Sequence, residues 1–384
     1  MKRAICALLI IACLLCGCAS PEPSESTATD KTDYIKGVWF SYLELDTMLS
    51  GDFKAEFERA IEQCKSLFIT DIFVHVRPFC DALYESELFP MRQTASGKDF
   101  DVLTFMLDTA HEAGIRFHAW INPYRVSRES ATESLLQDSP AYRWLHSDSA
   151  EDKANVILSD GIYLNPASDA VRRLVIDGVR ELLQSYDVDG VHFDDYFYPS
   201  SDEAIDSEVY TAYCASTKAP LALDDWRRAN VNTLISGVYT AVKFYNKDIV
   251  FSVSPAASVE NNYNNLFADV EAWVESGCVD MLIPQLYFGF DYSLEEYRFE
   301  NLLKIWKRMA KKGGLKLVVG LAPYKIGTDA EADREEWNDN PTLLKKQTDI
   351  CYCDQKVSGH VFYSYSSLFS ESPQNKAARE ALFK

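Results

Sequence analysis

The sequence predicts an α/β fold, a single (β/α)8 TIM barrel. Eight short runs of β-branched and aromatic residues recur along the chain, at 37–41, 71–77, 116–122, 190–194, 249–254, 281–287, 316–321 and 360–365. Amphipathic stretches separate them, at 53–67, 100–113, 170–186, 222–245, 267–275, 294–311 and 341–354. The longest breaks in the alternation, 127–167 and 198–221, both follow strands. Strands alternating with helices build a parallel sheet, and eight of them close it, whereas a doubly wound sheet usually stops short of that number. Insertions after strands fall on the face of a barrel where ligands bind.

At 384 residues the chain has room for more than one domain, but barrels of roughly 250 residues or more form one, and no shift of composition marks a boundary. The domain spans 36–384. With 47% hydrophobic and 25% charged residues it can bury an ordinary core. A net charge of −20, from 38 basic and 58 acidic residues, argues against a nucleic-acid partner, which needs clustered Lys and Arg. The 21 Tyr and 7 Trp supply rings for stacking on sugars as well as for the core.

The N-terminus reads as a processing signal. Lys2 and Arg3 precede an apolar stretch from Ala4 to Leu15, too short for the about 20 residues of a membrane span. Leu15-Cys-Gly-Cys18 resembles a bacterial lipoprotein signal, which implies removal of residues 1–17 and lipidation of Cys18. Residues 18–35, rich in Ser, Thr, Pro and Glu, read as a flexible tether. The expected location is extracytoplasmic, on a lipid bilayer through the acyl anchor. Cys64, Cys80, Cys214, Cys278, Cys351 and Cys353 remain in the body; they show neither a disulfide framework nor a zinc spacing and read as buried free thiols.

The strands justify themselves in order, and so does what each carries at its end. The first, Gly37-Val-Trp-Phe-Ser41, carries Trp39. Its helix, 53–67, places Phe57, Ile61 and Cys64 at helical spacing, and Gly114, Gly277 and Gly313 mark later helix ends. Strand two ends Phe73-Val-His75-Val-Arg77-Pro78, with His75 and Arg77 on one parity. Strand three sets His118, Trp120 and Asn122 on one parity and runs on to Tyr124. Strand four sets His192, Asp194 and Tyr196 together, the fifth Ser252 and Ser254, and the sixth Gln285 and Tyr287. Tyr324 follows strand seven, and Tyr363 and Tyr365 end strand eight. Convergence of polar and aromatic side chains at one end of a barrel is the mark of a site.

Single residues carry plainer readings as well. His118 is a hydrogen-bonded filler of the barrel. Arg77 either pairs with a core acid or binds substrate, and Trp39 and Trp120 either pack or stack on sugar. Asp194, inward and flanked by rings, is functional, because ionisable groups in such a place are costly to desolvate. Asp195 has the opposite parity and faces the helices unless the strand ends at Asp194. No His-x3-His or His-Glu-x2-His zinc pair, no Gly-x-Ser-x-Gly elbow and no phosphate-binding glycine loop is present, so no metal or other cofactor is expected. Carboxylate chemistry between aromatic walls remains, which is glycoside cleavage.

Taken together, Gly37-Val-Trp-Phe-Ser41, His75-Val-Arg-Pro78, Trp120-Ile-Asn-Pro-Tyr124, Tyr163-Leu-Asn-Pro166, Asp189-Gly-Val-His-Phe-Asp-Asp-Tyr-Phe-Tyr-Pro199, Ser254-Pro255 and Pro284-Gln-Leu-Tyr287 resemble the glycosyl-hydrolase-like family 10 of exported bacterial proteins. The resemblance spans about 36–368 and implies a barrel hydrolysing cell-wall or related glycan, with peptidoglycan strands as substrate class. The same motifs put Trp39, His75, Arg77, Trp120, Asn122, Tyr124, Asn165, His192, Tyr196, Gln285 and Tyr287 among the substrate-binding candidates, and Tyr324 joins them from the end of strand seven.

A weaker likeness to chitinase-type barrels covers Asp189, Gly190, Asp194 and Tyr287, but Tyr196 stands at the acid position and His192 at the middle Asp. Barrels of the O-GlcNAcase type carry two adjacent carboxylates at this strand end, as Asp194 and Asp195 are here. That likeness implies Asp195 as general acid/base and Asp194 as the anion orienting a substrate 2-acetamido group. It also implies Tyr287 as donor to the acetamido oxygen. Retaining or inverting chemistry, with Asp194 paired to a loop acid such as Asp291, stays open. A non-catalytic carbohydrate-binding lipoprotein on the same scaffold is the alternative.

Overall fold

The computed structural model describes residues 33–327, 334–338 and 340–383. The expectations for residues 1–17, for Cys18 and for most of the tether lie outside the described residues. Eight parallel strands close into a barrel: β1 (Ile35–Phe40), β2 (Asp71–Arg77), β3 (Arg116–Ile121), β4 (Gly190–Phe193), β5 (Val250–Val253), β6 (Met281–Leu282), β7 (Lys316–Leu321) and β8 (Gly359–Phe362). Each pairs with its neighbours in sequence, and β8 pairs with β1 to complete the ring. Ile35 lies in β1, and the Tyr34 hydroxyl hydrogen-bonds His360 Nδ1 at 3.0 Å.

Alternation along each strand divides the interior into two cores. Inside the barrel Ile35, Trp39, Phe73, Trp120, Met281, Ile283, Val318 and Val361 form one cluster. The opposite parity packs beneath the helices, as Val38, Val74, Phe117 and Val191 do. Large inward rings need small neighbours. A Cβ on Gly190 would overlap His118 Nδ1 and come 2.9 Å from the Val250 carbonyl oxygen. His118 lies flat on Phe73, with centroids 4.4 Å apart, and its Nε2 meets Asp71 Oδ1 at 2.9 Å, the filler role expected of it.

Three departures from simple alternation shape the upper face. Strand β2 carries an extra residue: His75 pairs with Trp120 but Arg77 with Ile121, so a bulge falls between them. Pro284 cannot donate to the sheet and cuts β6 to two residues, after which Gln285 bridges to both Ala256 and Gly320. Strand β8 ends at Phe362, and Tyr365 already starts a helix, Tyr365–Leu368. The helix before β7 ends at Gly314, whose φ of 67° takes the left-handed cap that Gly313 was expected to take.

The first insertion folds as a small antiparallel sheet of Arg125–Ser127, Val156–Leu158 and Ile162–Leu164. The second is held by a fully buried ion pair, Arg227 Nη2 to Asp206 Oδ1 at 2.5 Å, with Arg227 also donating to the Ser201 and Asp202 carbonyls. Among the described residues every cysteine is free; Cys353 is exposed and Cys214 half-buried, so the expectation of buried thiols fails for these two. Replacing Gly190 by Ala should lower stability by about 1–3 kcal/mol through the clash with His118; an unchanged midpoint in urea unfolding would contradict this packing.

Candidate active site

Strand β4 ends at Phe193, so Asp194 and Asp195 both lie beyond it and strand parity no longer governs Asp195. Asp194 is buried and held by three donor groups. Trp120 Nε1 donates to its Oδ2 at 3.1 Å, and Asn122 Nδ2 donates at 3.2 and 3.1 Å to the two oxygens. The Tyr196 backbone N–H adds a bond of 3.3 Å to Oδ1. Asn122 serves two purposes, because its Oδ1 accepts the N–H groups of Tyr124 and Arg125 at 3.2 and 2.9 Å. The donors come from β3 and the turn beyond it, so one strand positions the carboxylate presented by the next.

Burial pushes the Asp194 carboxyl up to about 7, and the Asp195 charge adds to this, while Arg125 and the Trp120 hydrogen bond pull the other way. Asp195 is raised as well, chiefly by burial, with the Gln285 amide and Arg125 opposing. Gln285 Nε2 is itself fixed to the Ser254 carbonyl at 3.2 Å. Asp195 therefore turns toward the strand-six side of the groove rather than toward the helices.

Three tyrosines wall that side. Tyr287 lies 5.8 Å from Tyr324 and 5.9 Å from Tyr363 between centroids, and Tyr324 and Tyr363 are 6.0 Å apart. Burial holds the Tyr287 phenol well above its usual range, reinforced by the neighbouring phenols and the Asp195 charge. Tyr287 is thus a hydrogen-bond donor at any ordinary pH. Tyr196 is exposed, its ring 3.6 Å from the Arg125 guanidinium carbon. His75 stacks flat on Trp120 at 3.7 Å and 6°. Desolvation, with Arg125 and Arg92 nearby, keeps its imidazole neutral.

The other candidates fall elsewhere. Trp39 and His192 form the floor: Trp39 Nε1 donates to His192 Nε2 at 3.1 Å, and His192 Nδ1 lies 2.8 Å from Ser252 Oγ. Both are almost completely buried, so Trp39 packs under the groove and offers no ring to a sugar. Arg77 is a correction. The bulge in β2 turns it outward, beneath the Phe89 ring at 4.3 Å and against Gly178 of the helix Asp169–Ser185, where a Cβ would overlap it. Tyr124 is buried in the outer core, away from the carboxylates. Asn165 spends its side chain on the Ala154 carbonyl and the Ala167 N–H, at 2.9 and 3.0 Å, and braces the insertion. Asp291 is exposed on a loop whose N–H groups bind Glu336.

Sequence reading passed over Arg125, and it named Tyr363 at the end of strand eight without placing it among the substrate-binding candidates. Arg125 directly follows Tyr124 in the quoted motif, but its place depends on the small insertion sheet. Tyr363 belongs with Tyr287 and Tyr324 because the end of strand eight lies beside theirs. Among the described residues no cluster of three His, Cys, Asp or Glu is arranged to hold a metal ion.

A carboxyl raised from 3.8 to about 7 binds its proton more tightly in the folded than in the unfolded chain. Folding stability should therefore fall as pH rises through that window. Relative to the parent, Asp194→Asn should gain up to about 4 kcal/mol between pH 4 and pH 8 in urea titrations. A pH-independent difference would contradict the burial of this charge.

Comparison with known proteins bears on this geometry. The chain is 29% identical to the protein named glycosyl hydrolase DigH of Escherichia coli K12, over 97% of this chain and 94% of that one. It is 29% identical to the protein named glycosyl hydrolase YngK of Bacillus subtilis, over 82% of this chain and 64% of that one. Among solved structures, the glycoside hydrolase domain of PgaB (BpsB) from Bordetella bronchiseptica superposes with a TM-score of 0.62 over 91% of this chain and 99% of that one, at 15% identity. The catalytic domain of β-amylase from Paenibacillus polymyxa does so at 0.60, over 91% and 98%, with 9% identity. At such identities the structural likeness speaks for the barrel. The family model described as glycosyl hydrolase-like 10 matches residues 34–339, and the chain belongs to that family.

Proposed function

We propose that this protein is an exported, lipid-anchored glycoside hydrolase that cleaves O-glycosidic bonds in N-acetylhexosamine-containing cell-wall glycan. The observation that carries the reading is the pair at the end of β4: Asp194 gripped by N–H donors, and beside it Asp195, less enclosed and facing a wall of tyrosines. Family membership and relatives named as glycosyl hydrolases support it. Export and anchoring rest on the Lys2–Arg3 and Leu15-Cys-Gly-Cys18 signals.

In the proposed reaction Asp195 gives its proton to the glycosidic oxygen as the bond to the anomeric carbon breaks. The substrate's acetamido oxygen forms the new bond to that carbon, while Asp194 accepts the acetamido N–H. Water then opens the cyclic intermediate, losing its proton to Asp195. Burial raises both carboxyls, Asp194 to about 7, so below that pH the pair shares a proton; in the proposed reaction that proton is on Asp195, and the donors around Asp194 oppose a second one. Tyr287, kept protonated, donates to the acetamido oxygen. Two inversions at carbon give net retention.

The productive state carries one proton on the pair. Above about 7 the last proton leaves and the acid is lost, whereas well below it both carboxyls are protonated and the anion is lost. The pH profile of kcat/KM should be bell-shaped with its alkaline limb near 7. Asp194→Asn and Asp195→Asn should each lower release of reducing ends from peptide-free cell-wall glycan by about 10²–10⁴-fold. Parent rates in both variants would overturn the assignment.

A further inference from the structure

The end of the barrel opposite the carboxylates carries rings that the core does not use. The helices of a barrel run back to the end where the strands begin, so the residues that join helix to strand gather there. Phe68 lies between the helix Phe53–Ser66 and β2 and is 68% exposed. Phe244 and Tyr245 close the helix Leu223–Tyr245 before β5, and they are 93% and 50% exposed. Phe383 follows the helix Pro373–Ala381 and is 56% exposed. Singly exposed rings are ordinary, but their gathering at one end marks a surface that meets something apolar.

Packing within the body does not explain Phe68. Its φ of 54° is left-handed, at a position after a helix that glycine fills freely, and its ring stays mostly in water. The backbone closes the helix as such caps do: the Phe68 N–H donates to the Lys65 carbonyl at 2.9 Å and the Ile69 N–H to the Cys64 carbonyl at 3.1 Å. Phe68, Tyr352, Leu382 and Phe383 line a cavity of about 290 Å³. The Lys36 ammonium sits 5.6 Å from the Phe68 ring. A lysine in that place lays its stem along apolar surface and leaves its charge for a phosphate above the rings.

The chain enters the body at this same end. Asp33 and Tyr34 stand before β1, and the Ile35 N–H donates to the Ser358 carbonyl at 2.9 Å. Residues 19–32 separate Cys18 from Asp33 in the sequence, a length of chain that spans at most about 50 Å. Among the described residues no helix is long and apolar enough to cross a membrane, so these rings suit an interface. We propose that this end of the barrel docks on a lipid bilayer, with Phe68, Phe244, Tyr245 and Phe383 seated among the headgroups and the groove of Asp194 and Asp195 turned away from the membrane. The proposal rests on the acyl-anchor reading, which brings the bilayer within reach, and adds to it a contact made by the folded body. A tether makes that second contact intramolecular, so modest apolar burial is enough to fix the orientation.

Quenching by lipid tests this on the protein purified from the membranes of producing cells and reconstituted in vesicles of phosphatidylethanolamine and phosphatidylglycerol. Two native thiols report on the two ends of the barrel. Cys353 is exposed at the end of the helix Leu343–Cys353, next to Tyr352, and Cys214 is half-buried in the helix Ser207–Ser216 of the insertion on the catalytic face. A dye is placed on Cys353 in Cys214→Ser and on Cys214 in Cys353→Ser. With a nitroxide-bearing phospholipid in the bilayer, the dye on Cys353 should lose several-fold more emission than the dye on Cys214. When Phe68→Asn, Phe244→Ser and Phe383→Ser are combined, the ratio of the two losses should fall toward one. The fold should survive, because the replaced rings are exposed and Asn accepts a left-handed backbone. Equal losses in the parent, or a ratio that the three substitutions leave unchanged, overturns the docking. So does a parent that is dimeric without vesicles and becomes monomeric in the variant, since the rings then join two copies of this chain. The mass of the N-terminal peptide reads the anchor separately: a Cys18 without acyl groups defeats the anchor reading, and the dye ratio still decides the docking.

Discussion

The upper half of this barrel depends on the hydrogen bonds that Trp120 and Asn122 send across from β3 to Asp194. A carboxylate with almost no access to water is tolerated only where donors replace its hydration, and three groups do so here. The consequences spread outward. Trp120 must keep its indole N–H aimed at the acid, and His75 is stacked on it and kept neutral. Asn122 must also hold the turn at Arg125, so the rim of the groove and its floor share a single amide. What remains unsatisfied is the charge itself, and the raised carboxyl is the result.

Beneath this layer rings share the barrel interior with the aliphatic residues that commonly occupy it, such as Ile283, Val318 and Val361. Trp39, Phe73, His118 and His192 interlock, with Gly190 leaving room for His118. His192 ties Trp39 to Ser252 and so joins β1, β4 and β5 at one level.

Much of the molecule was legible in the sequence because strand parity and helix period are local properties. All eight strands and the inward course of Trp120 follow from alternation, and Asn122 and Asp194, one residue past their strand ends, keep the direction that it gives. The failures arose where alternation is interrupted. A bulge after His75 sends Arg77 to the helices, and no single-strand pattern reveals a bulge, since it exists only in the register with β3. Strand β4 stops at Phe193, which frees Asp195 from the parity that would have turned it away. Asn165 and Tyr124 sit in family motifs for structural reasons, one bracing a loop and the other filling the outer core. Arg125 was passed over because its surroundings, Tyr163 and Tyr196, come from distant segments that meet only after the insertion folds.

The central claim is that Asp194 and Asp195 cleave a glycosidic bond with help from the substrate's own acetamido group. The most direct measurement is the anomeric configuration of the first product released from a β-linked N-acetylhexosamine oligomer, followed by proton NMR before mutarotation. The account predicts a β product, the result of two successive inversions. An α product would contradict it, because it would place water, not the acetamido oxygen, on the anomeric carbon in the first step.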